Sequence, residues 1–460
     1  MHQSAPRTRA HLLDRDHRLV SIGMIALVAL AAFEAMAVTA AMPTVADALD
    51  GLSLYPLAFA LPLATGIVGM AVGGNLSDVR GPLLPLLGGV AVFAVGLLAA
   101  GAAPTMLVLT LARGFQGFGS GVLIVALYVV VARQFPTSLQ PRVFAAFAGA
   151  WVIPAIVGPA IAGLIVDHLG WRWVFLSVPA LAIVALGLLV PSLRSGLRTP
   201  DREAIETRAQ TGVGWSIVAA VAATALHLAG QSNGLRAVAF AVAGLAGLVA
   251  AVPRLLPRGT SRMRRGLPAV VATRGIISAA FVTAEVLVLL LLNRERGLSP
   301  GHAGLALTAA AVAWSAGSWW QGRDSVSIPR WRIAQYGAIS LVIGIAGSAL
   351  VTVPAVPVYV ALPTWALAGL GMGMVMPTVS LLTLSASRAG DEGHNSSALQ
   401  ISDAIASTVA LAVTGTAFLA LLDASGSVAY VVGFAASATL AAYGAAQAHR
   451  MAPAEEGQSA

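Results

Sequence analysis

The chain has no cysteine and no lysine, and only 10% of its 460 residues are charged. Without cysteine there is no disulfide framework, no thiolate metal site and no cysteine nucleophile. Soluble domains carry about a quarter charged residues, so this chain cannot cover a globule with polar groups. Disorder is excluded from the other side, because it needs low hydrophobicity and high net charge. The eight histidines (2, 11, 17, 168, 227, 302, 394 and 449) are scattered, without metal-ligand spacing. No nucleophile–base pair or nucleotide loop is visible, so the sequence does not read as an enzyme, and it calls for no cofactor.

What is present is apolar: 58% of residues are hydrophobic, and the mean hydropathy is +0.84. This is the composition of an all-α polytopic membrane protein. A span needs about 20 mostly apolar residues. Fourteen stretches qualify: 19–42, 53–73, 83–103, 105–132, 143–166, 173–193, 213–232, 236–256, 267–292, 301–321, 333–353, 355–384, 396–422 and 428–448. Two polar segments, 194–212 and 254–266, bracket the seventh and eighth. The expected organisation is a tail (1–18), a six-helix bundle (19–193), linkers with two extra helices (194–266), a second six-helix bundle (267–448) and a tail (449–460). The first span is expected to be retained. Its apolar run exceeds the roughly 7–15 residues of a signal-peptide core, and it carries Glu34.

All 27 basic residues are arginine, and the net charge is +8. Arg172, Arg236, Arg294 and Arg296 fall in loops of one parity and Arg113 inside a span. Every other arginine, Arg274 included, is assigned to the side of the N-terminus. The positive-inside rule then puts both termini in the cytoplasm. The basic balance reports topology and not nucleic-acid binding. The connector RLLPRGTSRMRRG (254–266) suits anionic headgroups of membrane lipids. Lysine-free, alanine-rich usage suggests a GC-rich bacterial genome, and hence the bacterial inner membrane.

Ionisable groups inside apolar spans are costly and mark function by default. Four stand out: Glu34, Arg113, Glu285 and Asp403. At 1.5 Å per residue the first three each lie roughly 12 Å below the outer surface. They are expected to form one buried cluster, with Arg113 available to either glutamate. Asp403 belongs to the inner half. A carboxyl taken out of water holds its proton more tightly, and an approaching arginine drives it off. The functional reading is therefore proton exchange, with protons as the coupling ion. The bland one is a permanent ion pair between helices.

In LARGFQGFGSG (111–121), Gln116, Gly117 and Ser120 share the Arg113 face, as a helix lining an aqueous cavity would show. The alternative is close helix packing through Gly117 and Gly121. Trp151 and Trp314 lie within spans as further cavity-lining candidates. Trp171, Trp173, Trp319 and Trp320 read as interfacial anchors. His227 reads as a packed polar residue. In GAWVIPAIVGPAIAG (149–163), Pro154 and Pro159 remove backbone donors, while Gly149, Gly158 and Gly163 are expected to allow close approach. In GGNLSDVRGP (73–82), Gly74 and Gly81 serve a short hairpin. Asp78 is placed to accept from a helix N-terminus across a seam, with Arg80 as counter-charge.

These pieces resemble the major facilitator superfamily, and within it the fourteen-span drug:proton antiporter branch. Gly74, Asp78 and Gly81 match its signature loop, although Val79, Pro82 and Leu83 depart from it. Arg113-x-x-Gln116-Gly117-x-Gly119 resembles the fourth-helix motif linked to proton coupling. Gly158-Pro159 resembles the antiporter motif of the fifth helix. The segment GSWWQGR (317–323) looks like a degenerate echo of the loop motif, with Asp324 following. The resemblance implies the major facilitator fold and alternating access, with spans one, four, nine and twelve lining the site. Gly369, Gly371, Gly373 and Pro377 would then give span twelve a flexible or broken character. The implied activity is proton-coupled export of amphipathic or cationic small molecules by a monomer. Rival readings are an exporter or flippase of an endogenous lipid or metabolite, and a non-transporting receptor or scaffold.

Overall fold

The computed structural model describes residues 12–14, 17–194, 206–323, 325–425 and 428–452. Most of the two tails, residues 195–205 of the first linker, and Asp324 lie outside them.

Among the described residues fourteen long helices follow one another. They are α1 (Arg18–Ala48), α2 (Tyr55–Arg80), α3 (Leu83–Gly101), α4 (Met106–Gln134), α5 (Gln140–Leu169), α6 (Arg172–Arg194) and α7 (Glu206–Ala229). After them come α8 (Gly234–Leu255), α9 (Leu267–Leu290), α10 (Pro300–Gln321), α11 (Arg330–Ala349), α12 (Ala361–Ala386), α13 (Glu392–Ser425) and α14 (Val428–Gln447). In a bilayer core every backbone polar group must be satisfied within the chain, and helices do that locally. Thirteen of the fourteen are long and apolar enough to cross a membrane. The exception, α10, is diluted by Trp314, Ser315, Ser318, Trp319, Trp320 and Gln321. The chain is a multi-pass membrane protein.

Helix starts use the expected devices. Thr105 Oγ1 accepts the Val108 amide at the start of α4, and proline opens α2, α5, α9 and α10. Gly81 ends α2 with φ +78° and Gly170 ends α5 with φ +89°. One expectation fails here: the linker 194–212 is not all loop, since α7 begins at Glu206. Of the segment 317–323, all but Gly322 and Arg323 belongs to the end of α10, as Gly73–Arg80 belong to the end of α2.

The first six helices pack on one another, and so do the last six. The two groups repeat the same contacts. On α4, Gly117 lies against Pro62 and Gly121 against Gly66 of α2, while Gly119 lies against Gly89 and Phe93 of α3. On α12, Gly369 lies against Ala310 and Gly373 against Trp314 of α10, while Gly371 lies against Gly337 and Leu341 of α11. The spacings agree on every helix. Glycines at every second position let one helix touch two neighbours backbone to backbone. The glycines of α12 are therefore packing contacts, and α12 is continuous through Pro377. It is not broken.

The α7–α8 pair lies on the seam between the groups. Ala219, Ala222, Ala223 and Leu226 of α7 form one apolar cluster with Ile67 and Ala71 of α2, and Ile401 and Ile405 of α13.

Candidate functional site

The ends of α2, α4, α8, α10, α12 and α14 share one face of the molecule with the starts of α5, α9, α11 and α13. Arg80, Arg133, Arg142, Arg254, Arg258, Arg262, Arg264, Arg265, Arg323, Arg330, Arg332, Arg388 and Arg450 all belong to it. On this arginine-rich face the two groups are joined. Asp78 Oδ1 accepts the Gly393 amide and Oδ2 the His394 amide, both at 2.7 Å, capping α13 from the end of α2. The approach requires glycine on both sides. A Cβ on Gly74 would lie 2.5 Å from the Gly393 carbonyl, and one on Gly393 would lie 2.3 Å from the Gly74 carbonyl. Arg133 of α4 bonds Glu392 at 3.2 Å and stands 3.9 Å from Asp78. Gln321 of α10 donates to the Pro141 carbonyl of α5 at 3.4 Å, while Arg330 donates to the carbonyl and amide oxygens of Gln321. Arg80 is exposed, and Gly81 supplies the turn.

A second polar group lies deeper on the same side. Arg274 of α9 is buried, and its Nε and Nη2 both reach Asp403 Oδ2 of α13 at 2.7 Å. The hydroxyl of Tyr128 on α4 accepts from Ser380 Oγ of α12 at 3.3 Å and lies within electrostatic reach of Arg274. Tyr128 and Ser380 stand eleven residues beyond Gly117 and Gly369, so they are equivalent positions meeting across the seam. Arg274 is thus an intramembrane ion-pair partner and not a loop arginine. Only seven residues inside α9, it resembles a topological charge in the sequence. Among the described residues, all these hydrogen bonds between the two groups lie in the half toward the arginine-rich face.

The third polar group is farther from that face. Arg113 Nη1 of α4 donates to Glu34 Oε1 of α1 at 2.7 Å, and also to Gln116 Oε1. All three are buried: Arg113 is 8% exposed, Glu34 5% and Gln116 3%. Gln116 does not line a cavity; its backbone packs on Gly96 of α3. Ser120 is half-buried. Helix α5 supports α1 here through Pro154, Gly158 and Ala162, its buried face. A Cβ on Gly158 would touch Met36 of α1 at 3.2 Å, two residues from Glu34. Pro159 is exposed on another face, and Gly149 and Gly163 have no neighbour within 4 Å where a Cβ would stand. Only Gly158 of those three glycines serves a close approach.

Glu285 does not join the cluster. It is half-buried on α9, with no hydrogen bond or ion pair among the described residues. The repeat explains why. Both α1 and α9 read Ala-Ala-Phe, at 31–33 and 279–281, but Glu34 is answered by Val282, and the acid of α9 stands three positions farther on. Opposite it there is no arginine, because Trp365 occupies in α12 the position of Arg113 in α4. Phe281 stacks on Trp365 with centroids 5.1 Å apart and meets Trp314 edge-on at 5.5 Å. Trp314 is therefore half in an aromatic core, whereas Trp151 is 45% exposed.

Of the proposed interfacial tryptophans, Trp171 is buried edge-on against Phe175, so it is a core residue. Trp173 and Trp319 are exposed, and Arg323 lies over the Trp319 ring. Sequence reasoning misses Arg133, Glu392, Gln321, Tyr128, Arg274 and Ser380. The usable signals are a lone tyrosine in the apolar run 122–132 and an arginine seven residues inside a span.

Known proteins have related sequences or folds. An uncharacterized MFS-type transporter of Mycobacterium tuberculosis (strain CDC 1551 / Oshkosh) is 31% identical over 43% of this chain and 28% of its own length. The multidrug transporter protein MdtP of Bacillus subtilis (strain 168) is 27% identical over 39% of this chain and 34% of its own. The chain thus spans only about a third of the length of these curated relatives. In fold, the human organic anion transporter MFSD10 (TETRAN) superposes with a TM-score of 0.71 at 13% identity, covering 94% of this chain and 99% of that one. The model of the Major Facilitator Superfamily matches residues 24–411. With that match, the repeated helix contacts and the sealed seam, the chain belongs to the Major Facilitator Superfamily of transporters.

Proposed function

We propose that this protein is a proton-coupled exporter of amphipathic or cationic small molecules, working by alternating access in a bacterial inner membrane. The observation that carries the reading is the Glu34–Arg113 pair, buried within two otherwise apolar helices. Removing two charges from water costs several kcal/mol per ion, and their attraction offsets this only with good geometry. A carrier that takes up and releases a proton there has a use for that cost; a scaffold has none. The multidrug names of some relatives favour a drug-like cargo over an endogenous lipid or metabolite.

In this reading α1–α6 and α9–α14 are the two moving bundles, and α7–α8 is an added pair braced against both. The arginine-rich face is cytoplasmic by the positive-inside rule. The seam is closed there by Asp78, Arg133, Gln321 and Tyr128, so the arrangement is the outward-facing one. A proton arriving from outside neutralises Glu34 and loosens Arg113, and Glu285 offers a second carboxyl on the facing bundle. With both carboxyls neutral the bundles can rock, which separates Tyr128 from Arg274 and Asp78 from α13. Proton release inside restores the charge and favours a new cationic substrate.

The deciding experiment reconstitutes the protein in proteoliposomes with an imposed pH gradient and a panel of lipophilic cations. Uphill cation movement that dissipates the gradient is expected. Absence of any substrate-linked proton flux across the panel overturns the reading. Lipid movement without competition by the cations would select the lipid exporter instead.

A further inference from the structure

The connector between α8 and α9 is a folded object and not a slack tether. Its backbone turns through left-handed conformations at Gly259 (φ +94°), Met263 (φ +45°) and Gly266 (φ +83°). A left-handed methionine is strained and persists only where surroundings fix it. They do: the Met263 side chain is 1% exposed. The Gly266 amide donates to the Arg450 carbonyl at 2.8 Å, and Arg450 Nη1 donates back to the carbonyls of Arg262 and Met263 at 3.2 and 3.3 Å. The end of the chain thus holds the connector from both sides.

On this fixed loop stand Arg258, Arg262, Arg264 and Arg265, all exposed and none in an ion pair among the described residues. A topological signal needs positive charge but no particular backbone. Here a rigid backbone holds four like charges within eight residues, an arrangement that repels itself until an anion arrives.

Directly beside it, α8 shows what the rest of the ligand looks like. Gly244, Leu248, Ala251 and Leu255 are buried, while Val242, Leu245 and Val249 are exposed, at 62%, 55% and 67%. This exposed stripe runs on to Pro253, beside the connector. From Val242 to Pro253 it is roughly 16 Å long at 1.5 Å per residue. That is about half of a 30 Å hydrocarbon core, one leaflet deep. At its end Arg254 folds over the Trp215 ring at 4.1 Å and bonds the Ala250 carbonyl, as an interfacial pair does.

We propose that the α8–α9 connector and the exposed stripe of α8 form a binding site for one anionic phospholipid of the leaflet at the arginine-rich face. The phosphate sits on Arg258, Arg262, Arg264 and Arg265, and an acyl chain runs along Val242, Leu245 and Val249. Each juxtamembrane arginine favours an anionic surface, so a fixed cluster of four discriminates strongly against a zwitterionic headgroup. Because α7 leans on α2 and α13 and carries α8, while the connector is clasped to the end of α14, the lipid would brace the added pair at the seam.

The test is independent of transport. The full-length protein is incorporated in nanodiscs of phosphatidylglycerol and phosphatidylcholine in equal amounts, and retained lipid is counted by native mass spectrometry. The wild type is expected to keep phosphatidylglycerol in at least tenfold excess. R258Q/R262Q/R264Q/R265Q should lose that excess, and the four corresponding lysine substitutions should keep it. A matched set on the same face, R18Q/R323Q/R332Q/R388Q, should also keep it. Bulk-ratio retention by the wild type overturns the proposal, as does an unchanged excess in the glutamine variant. Equal loss in the matched set would show diffuse surface charge and overturn it too.

Discussion

Helices α4 and α12 occupy equivalent places in the two halves and carry the same alternating glycines, yet one presents Arg113 and the other Trp365 four residues before them. In the first half the guanidinium is met by Glu34 of α1; in the last half the indole is met by Phe281 of α9. One scaffold therefore holds a charged pair on one side and an aromatic stack on the other. The backbone packing is indifferent to which, because the glycine contacts lie a turn or more away. What differs is the response to a proton. Protonating Glu34 breaks an ion pair, whereas the Phe281–Trp365 stack has nothing to protonate. At this level the ion pair lies in the first half, and Glu285 stands in the other, unpaired among the described residues.

The largest effect that tests this contrast is expected from Arg113→Ala. Breaking a buried pair by removing one partner costs about 3–5 kcal/mol, because Glu34 is left charged and buried. Thermal unfolding should show a large fall, partly recovered in R113Q/E34Q, which removes both charges. If Arg113→Ala unfolds like the wild type, the pair is not the buried element described. Glu34→Gln alone should leave a folded protein with gradient-driven transport reduced at least 100-fold, roughly 2.7 kcal/mol by the usual conversion. Undiminished flux would remove Glu34 from coupling.

Trp365→Ala should cost a similar 3–5 kcal/mol through the cavity it leaves. Trp365→Phe should cost far less and leave the proton dependence of transport untouched, which a pH profile of flux would reveal. A changed profile would mean that the two halves share the coupling.

Smaller effects belong to the glycines. Gly117→Ala and Gly369→Ala would each place a Cβ about 2 Å from backbone of the neighbouring helix, at 2.1 Å from Pro62 and 2.2 Å from Ala310. Each should cost about 1–3 kcal/mol, as overpacking does. Gly149→Ala and Gly163→Ala, with open space around them, should fall within about 0.5 kcal/mol of wild type. Similar melting points for all four would break the packing argument.

A single-hydrogen-bond change comes from Tyr128→Phe, which removes the hydroxyl that meets Ser380, worth about 1 kcal/mol. The chain's lack of cysteine makes this measurable without background. Ser397→Cys, buried beside Gly74 at the closed seam, should react with maleimide several-fold faster when Tyr128→Phe is added. An unchanged rate would mean that Tyr128 does not hold the seam.

Much of the fold and part of the site are legible in the sequence. Apolar runs of span length set the helices, because a bilayer leaves the backbone no other partner. Glu34, Arg113 and Asp78 stand out because their surroundings are wrong for them. Less visible are residues whose partners are far along the chain. Glu392 lies 259 positions from Arg133, and Asp403 lies 129 from Arg274. Nothing local marks such pairs. Counting residues along α9 gives a depth for Glu285, but depth along a helix does not say which neighbour faces it.

The sequence by itself determined the helices, their number and the charge asymmetry between the two faces, since these follow from hydropathy and length along a single chain. Only the tertiary structure decided that Arg113 pairs with Glu34 and leaves Glu285 alone, and that Arg274 is a partner of Asp403 and not a loop charge. It alone showed that the glycines of α12 are contacts with two neighbouring helices. Each of those facts depends on which helix stands opposite, and hydropathy carries no record of neighbours.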